Sequence, residues 1–383
     1  MLSLALLTIP GLALYSRAKK GFSLPELVAA SIALSVVLLP FAAMLSRPLG
    51  VSPIVPLGFL VAYLFYRKGG KLTVGKRDKM ALAIGLVFAL LVAAVLSQYL
   101  IGAAVHPTQA GDAVWHASNI NWYRVAPQFP PEDAYSPTHA LRGNWLFTVL
   151  MGETSLHMAM PLAVLALFLS VYLVAEKLFK SGIAAGLLFT AFAGASWVLG
   201  TGFQELIFSP LGFKFDPTLL FFFLPQPQAI GLMLMAFALF LFFEKRNSLL
   251  GITLAALVGY HLQTAVVLVA AILIHHGIKR EWPGWIKWML LAIPFVVPLV
   301  GVSGSHIALG FQESALVTMA LTVLPLGILA WGKRKAELLP LLSWIGIVLA
   351  LFVAIPLMQN GYRFLVYAAM PLAILASSQI KKK

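Results

Sequence analysis

Long apolar runs separated by short basic clusters are the dominant pattern along this chain. The runs at 2–16, 24–45, 50–66, 80–105, 158–175, 182–199, 226–243, 284–302, 314–331, 338–357 and 364–380 approach the roughly 20 apolar residues that a helix needs to cross hydrocarbon. Lipid offers no partner to an unpaired backbone group, so helices are the expected material. Two shorter apolar pieces, 248–260 and 263–275, flank Tyr260-His261-Leu262-Gln263. The pattern predicts an all-α, polytopic transmembrane protein of about 11 to 13 membrane segments. It reads as one transmembrane domain over residues 1–383 with no large soluble domain.

Composition agrees. The 383 residues are 61% hydrophobic and 10% charged, with mean hydropathy +0.93, which leaves too little polar surface to cover a water-soluble globule of this size. The net charge of +14 would suggest nucleic acid if the basic residues lay on a soluble domain. Here they lie between apolar runs, where they set topology instead. Clusters at 17–20, 67–79, 177–180, 245–246, 279–287, 333–335 and 381–383 hold 22 of the 27 lysines and arginines. All fall on one side when the spans alternate, the cytoplasmic side of a cell membrane. Arg47, Arg124, Arg142, Lys214 and Arg363 are the exceptions.

The opposite side receives the long loop 106–157. Asp112, Glu132, Asp133, Glu153, Glu205, Asp216 and Glu313, seven of 13 acids, lie there, with His106, His116, His139, His157 and His306. The absence of cysteine removes disulfides, thiolate metal sites and cysteine nucleophiles. The run Leu2–Tyr15 is followed by its basic residues, the wrong order for a signal peptide, so it is expected to stay as a membrane segment.

The two short pieces around His261 are bounded by Lys245 and Arg246 on one side and Lys279 and Arg280 on the other. They predict a hairpin entering from the cytoplasmic face. About 13 residues at 1.5 Å each reach some 20 Å, short of the roughly 30 Å core, which places the His261 tip inside the membrane. Polar groups at that depth need a protein partner or a wet cavity. Asp216-Pro217 and Pro225-Gln226-Pro227-Gln228 break any helix between them and predict a re-entrant or surface-lying piece.

Candidate chemistry begins after the span ending near 105, with Gly111-Asp112-Ala113-Val114-Trp115-His116, then Tyr123-Arg124, Pro130-Pro131-Glu132-Asp133, Tyr135 and His139. An acid fixed at the mouth of a membrane helix can act as a general base or hold a divalent cation. On helical spacing Asp112 and His116 share a face one turn apart. A solvated loop whose charges keep it out of lipid is the alternative. His106, Asp112, His116 and His139 are competent zinc ligands, but their spacing matches no zinc signature; an oxygen-ligated cation at Asp112 is the simpler metal reading.

An Asp just after a span, a His four residues on, a Pro-containing loop with Tyr135, and Gly152 before the aliphatic span ending at Tyr172–Phe179 together resemble the GT-C superfamily of polyprenyl-phosphate-sugar glycosyltransferases. The Gln226-Pro227-Gln228 entry to a span, the polar tip at His261 and Gly361-Tyr362-Arg363 before the last span add to the likeness. The resemblance is strongest over 100–200. It implies a GT-C-like fold and transfer of a sugar from a polyprenyl-phosphate-linked donor to an unknown acceptor on the exterior face. Asp112 would activate the acceptor or position a metal, and Arg363, with Tyr362 beside it, would bind the donor phosphate through its fork. His261 and Gln263 would line the donor site. His116, Glu132, Asp133, His139, Glu205 and Asp216 would contact substrate. Membrane lipid and the lipid-linked donor are the implied partners, with no nucleic acid; no cofactor is required beyond a possible divalent cation. Each residue also has a structural reading: Arg363 as an interface anchor, His261 satisfied by a neighbouring helix, and Glu205 and Asp216 as ordinary loop charges.

The sequence departs from larger members of that family in carrying about three spans ahead of the one before Asp112, and no sizeable soluble domain after the last. A transporter or lipid flippase is the main rival, although such proteins more often carry paired repeats and midplane ionisable residues. Here Glu26 is almost the only acid within the spans. A noncatalytic GT-C-like protein that docks through Trp115, Trp122, Tyr123, Tyr135 and Trp145 is the third reading.

Overall fold

A computed structural model describes residues 2–18, 21–65, 71–105, 112–128, 131–134, 136–140, 145–190, 227–296, 327–328, 339–354 and 366–380. Helix accounts for 86% of them, as the apolar periodicity required. Among the described residues, three helices are long and apolar enough to cross a membrane: Leu24–Leu49, Leu156–Phe179 and Leu262–Lys279. The chain groups into two units interleaved in sequence. The first is Met1–Ser170, Phe222–Leu262 and Trp285–Val300; the second is Val171–Phe221, Gln263–Gly284 and Gly301–Lys383.

The first unit begins with α1 (Leu2–Leu6) and α2 (Ile9–Ala18), then strand β1 (Gly21–Ser23) and α3 (Leu24–Ser46). Ser23 starts α3 through a capping box: its hydroxyl accepts from the Glu26 N–H while the Glu26 carboxylate accepts from the Ser23 N–H, satisfying two orphan donors at once. Glu26, the one acid expected within a span, thus belongs to a helix start, and it also accepts a hydrogen bond from Tyr15. Helices α2 and α3 touch backbone to backbone. A Cβ on Gly11 would stand 2.1 Å from the Ser31 carbonyl oxygen, and the Gly11 N–H donates to the Ser35 hydroxyl at 2.8 Å. Small residues at such a crossing allow helices to associate where lipid removes the hydrophobic drive.

After a 3₁₀ turn (Arg47–Leu49) come α4 (Ile54–Phe65), β2 (Lys71–Thr73), α5 (Lys76–Val105), α6 (Asp112–Val125), β3 (Glu132–Asp133), β4 (Ser136–Ala140), α7 (Trp145–Glu153) and α8 (Leu156–Phe179). Strands β1 and β2 pair in parallel, Gly21 with Lys71 through Ser23 with Thr73. Strands β3 and β4 form a short antiparallel hairpin with an irregular register. These two ladders add to the all-helical expectation; at two to five residues each they are too short for a period-2 pattern to register.

Further along, α9 (Gly182–Thr190), α10 (Pro227–Phe243), α11 (Asn247–Tyr260) and α12 (Leu262–Lys279) follow. The helix breaks at His261, whose extended backbone (φ −159°, ψ 98°) ends α11, as expected. The piece after the break is longer than the expected 263–275. Its 18 residues rise about 27 Å, enough to cross, because Leu262 and His276–Lys279 extend it at both ends. The expected span 284–302 starts instead as a 3₁₀ helix, Ile286–Ala292, with a short α13 (Ile293–Val296) after it. Pro294 has no N–H to give the Leu290 carbonyl, and the Ile293 N–H takes that acceptor in a three-residue loop. The expected span 314–331 and the piece around Asp216–Gln226 lie outside the described residues, apart from 327–328.

Pro40 lies inside α3 and cannot donate to the carbonyl four residues back, that of Val36. The hydroxyl of Tyr260, fully buried at the end of α11, donates to that carbonyl at 2.8 Å. One helix thus supplies the donor that another lacks, the repair that a proline inside an apolar bundle demands. Loss of this hydroxyl in Tyr260→Phe should cost about 1–3 kcal/mol, the desolvation penalty of an orphaned buried acceptor. In a Pro40→Leu background the same change should cost far less, and thermal unfolding of the four variants in detergent reads the coupling.

In the second unit the end of α8 turns into α9 through Lys180, with the Gly182 N–H donating to Glu176 at 3.0 Å. Gly182 lies so close to Tyr172 that a Cβ would meet its ring at 2.5 Å. Helix α9 packs against α15 (Ala369–Ile380), which follows α14 (Leu339–Ala354) and a 3₁₀ turn (Val366–Ala368). Ser181 and Ser377 share a buried hydroxyl–hydroxyl hydrogen bond of 2.8 Å.

Candidate functional site

Residues 112–125, expected as part of a loop, form a helix, and one of its faces points into the protein. His116, Asn119 and Tyr123, spaced by three and four residues, are all buried. The His116 ring meets Phe147 of α7 edge-on, 5.3 Å between centroids. Asn119 accepts from the Ala134 N–H at 2.8 Å, and the Trp122 indole N–H donates to Glu132 at 3.1 Å. These two bonds staple the β3–β4 hairpin to α6.

Beneath this platform lies an ion pair that sequence order hides, since its partners are 106 residues apart. The Arg47 guanidinium donates from Nε and Nη2 to both oxygens of Glu153, at 2.7 and 2.6 Å. The Tyr123 hydroxyl adds a third donor to the same carboxylate at 3.1 Å. Burial, reinforced by the Glu153 carboxylate, holds the Tyr123 phenol well above its ordinary pKa, so it remains a neutral donor. Arg124 reaches the other way, donating to the carbonyls of Met151, Gly152 and Thr154. It caps the end of α7, where a cation also meets the negative end of the helix dipole. Gly152 is required by contact: a Cβ there would stand 2.3 Å from the Tyr123 ring.

Asp112 is the first residue of α6, four residues ahead of His116. Glu132 and Asp133 are half-buried in β3, and His139 lies in β4. Five of the expected site residues therefore sit on one helix and the hairpin that follows it. His261 is the residue at the α11 break and Gln263 the second residue of α12, each half-buried. His106, Tyr135, Glu205, Asp216, Tyr362 and Arg363 lie outside the described residues. Among the described residues, no group of three or more His, Asp or Glu side chains is placed to hold a metal ion.

Sequence spacing placed Arg47 and Glu153 among the charges of the outer side, and Tyr123 was an interface anchor only in the docking reading. A lone cation and a lone acid at the ends of two spans on the same predicted side were the available signal for the pair. Asn119 gave none. No protein-family profile matches the chain, and no curated protein or solved structure matches it.

Arg47→Ala strands a carboxylate whose side chain is only 8% exposed. It should cost about 2–3 kcal/mol, below the 3–5 kcal/mol of a fully buried pair because Arg47 itself is part-exposed. Thermal unfolding in detergent measures it, and the double variant Arg47→Met/Glu153→Gln should recover much of the loss. Gly152→Ala should cost about 1–3 kcal/mol through overpacking on Tyr123, relieved in Tyr123→Leu.

Proposed function

We propose that this protein is a multi-pass membrane glycosyltransferase, with basic loops in the cytoplasm and loop 106–157 on the exterior face. It transfers a sugar from a polyprenyl-phosphate-linked donor to an acceptor hydroxyl. The observation that carries the reading is the platform of α6 and the β3–β4 hairpin. Asp112 at the start of α6 and Glu132, Asp133 and His139 in the hairpin belong to neighbouring elements, on a support fixed by the Arg47–Glu153–Tyr123 triad. The likeness of these residues to GT-C enzymes supports it further.

In this reading an acceptor oxygen attacks the anomeric carbon while Asp112 takes the acceptor proton. The bond from the anomeric carbon to the phosphate oxygen breaks, and its electron pair leaves with the polyprenyl phosphate. The leaving phosphate needs a cation, which is the role of Arg363. Glu132, Asp133 and His139 hydrogen-bond sugar or acceptor hydroxyls, with Glu205 and Asp216 as further acids and His261, Gln263 and Tyr362 on the donor side. Where a divalent cation takes part, Asp112 holds it.

Purified protein given a radiolabelled polyprenyl-phosphate hexose should release polyprenyl phosphate, and Asp112→Asn should lower turnover roughly 10²- to 10⁴-fold with an unchanged melting temperature. Full activity in that variant removes Asp112 from the mechanism. Loss of turnover on chelation assigns Asp112 to a cation, and indifference to chelation assigns it to proton transfer.

The helix break at His261 favours a second reading, since discontinuous helices also line the sites of transporters and flippases. Movement of labelled lipid across proteoliposomes without sugar transfer selects it. Against it stands Glu26, whose carboxylate is engaged by Ser23 and Tyr15 at the start of α3.

A further inference from the structure

Three residues other than glycine have positive φ among the described residues: Lys180 (59°), Lys245 (56°) and Arg280 (53°). All three are basic: Lys180 and Arg280 directly follow α8 and α12, and Lys245 is the second residue after α10. At two of them the cap is of the Schellman type. The N–H after Lys245 reaches back to the Leu241 carbonyl, and the N–H after Arg280 to that of His276, each at 3.0 Å. This backbone position selects glycine, because a Cβ in the left-handed region collides with the following carbonyl. The same chain does use glycine where a helix end has no further task. Gly50 closes the 3₁₀ turn after α3 at φ 69°, with the next N–H on the Ser46 carbonyl.

A strained backbone kept at three helix ends by the same kind of side chain points to a demand on that side chain. The fold itself makes none: Lys180, Lys245 and Arg280 are exposed. A cation at a helix C-terminus gains from the dipole, but an ordinary right-handed residue in the last turn gains as much without strain. At the end of α12 the surroundings also suit a headgroup layer, since Lys279 and Arg280 are exposed and Trp282 is 83% exposed beside them. Exposed tryptophan and basic residues together mark headgroup depth.

We propose that Lys180, Lys245 and Arg280 are binding sites for the headgroups of anionic phospholipids, each held by a left-handed helix cap. The inference rests on the membrane reading above and is independent of the glycosyl transfer. All three residues lie in clusters that the alternation of spans assigns to the cytoplasmic side, where anionic lipid attracts basic residues.

Replacement by glycine separates this role from a structural one, because glycine suits the backbone and removes only the side chain. The triple variant Lys180→Gly/Lys245→Gly/Arg280→Gly should melt at a higher temperature than the native protein in neutral detergent. Short-chain phosphatidylglycerol, titrated into the native protein, should raise the melting temperature, whereas short-chain phosphatidylcholine and inorganic phosphate should not. The triple variant should need far more phosphatidylglycerol for the same rise, about fivefold per residue removed. The exchange Lys180→Arg/Lys245→Arg/Arg280→Lys should respond like the native protein. An unchanged phosphatidylglycerol response in the glycine variant overturns the proposal, as does an equal response to inorganic phosphate. Release of the native protein from membranes by alkaline carbonate would instead defeat the membrane reading itself.

Discussion

The hydrogen bond from Tyr260 to the carbonyl of Val36 expresses the constraint on which the rest of this structure depends. In an apolar interior every backbone group needs a partner, because no water is present to supply one. Pro40 removes a donor from the middle of α3, and a side chain from α11 returns it. That exchange fixes α11 against α3 at one defined depth. Beyond it, α11 breaks at His261, the position at which sequence placed its polar tip. Close contact follows the same logic, with Gly11 against Ser31 and Ser35. Gly251 repeats it, where a Cβ would stand 2.5 Å from the Trp285 carbonyl oxygen.

Helix ends raise the same problem, and arginine answers it repeatedly. Arg17 donates to the carbonyl of Leu64 near the end of α4, Arg246 to that of Ala18 at the end of α2, and Arg124 to three carbonyls around the end of α7. Each places a fixed positive charge where the peptide dipoles leave a negative one. The described basic residues therefore divide into two kinds. Some tie helix ends together within the protein. Others, such as Lys180, Lys245 and Arg280, face outward.

The candidate site draws its rigidity from charges that do no chemistry. Arg47 and Tyr123 give Glu153 three donors, and this arrangement holds α6 against α7 while its own charge is neutralised. The β3–β4 hairpin then rests on α6 through Asn119 and Trp122. The support thus runs from the Arg47–Glu153–Tyr123 triad through α6 to the hairpin that carries Glu132 and Asp133.

Local chemistry made much of this legible in advance. Apolar runs located α3, α8, α10, α11 and α14 to within a few residues, and the break at His261 followed from polar residues between two apolar pieces. The capping box of Ser23 and Glu26 spans only three residues, yet Glu26 was read from the sequence only as an acid within a span. What remained hidden depends on contacts across long stretches of chain. The Arg47–Glu153 pair, the Tyr260–Val36 repair, the β1–β2 ladder and the contact of Gly152 with Tyr123 each join residues about 30 to more than 200 positions apart. Periodicity and spacing report the faces of single helices. Which donor meets an orphaned carbonyl, and which cation a buried acid, is decided only when the helices pack.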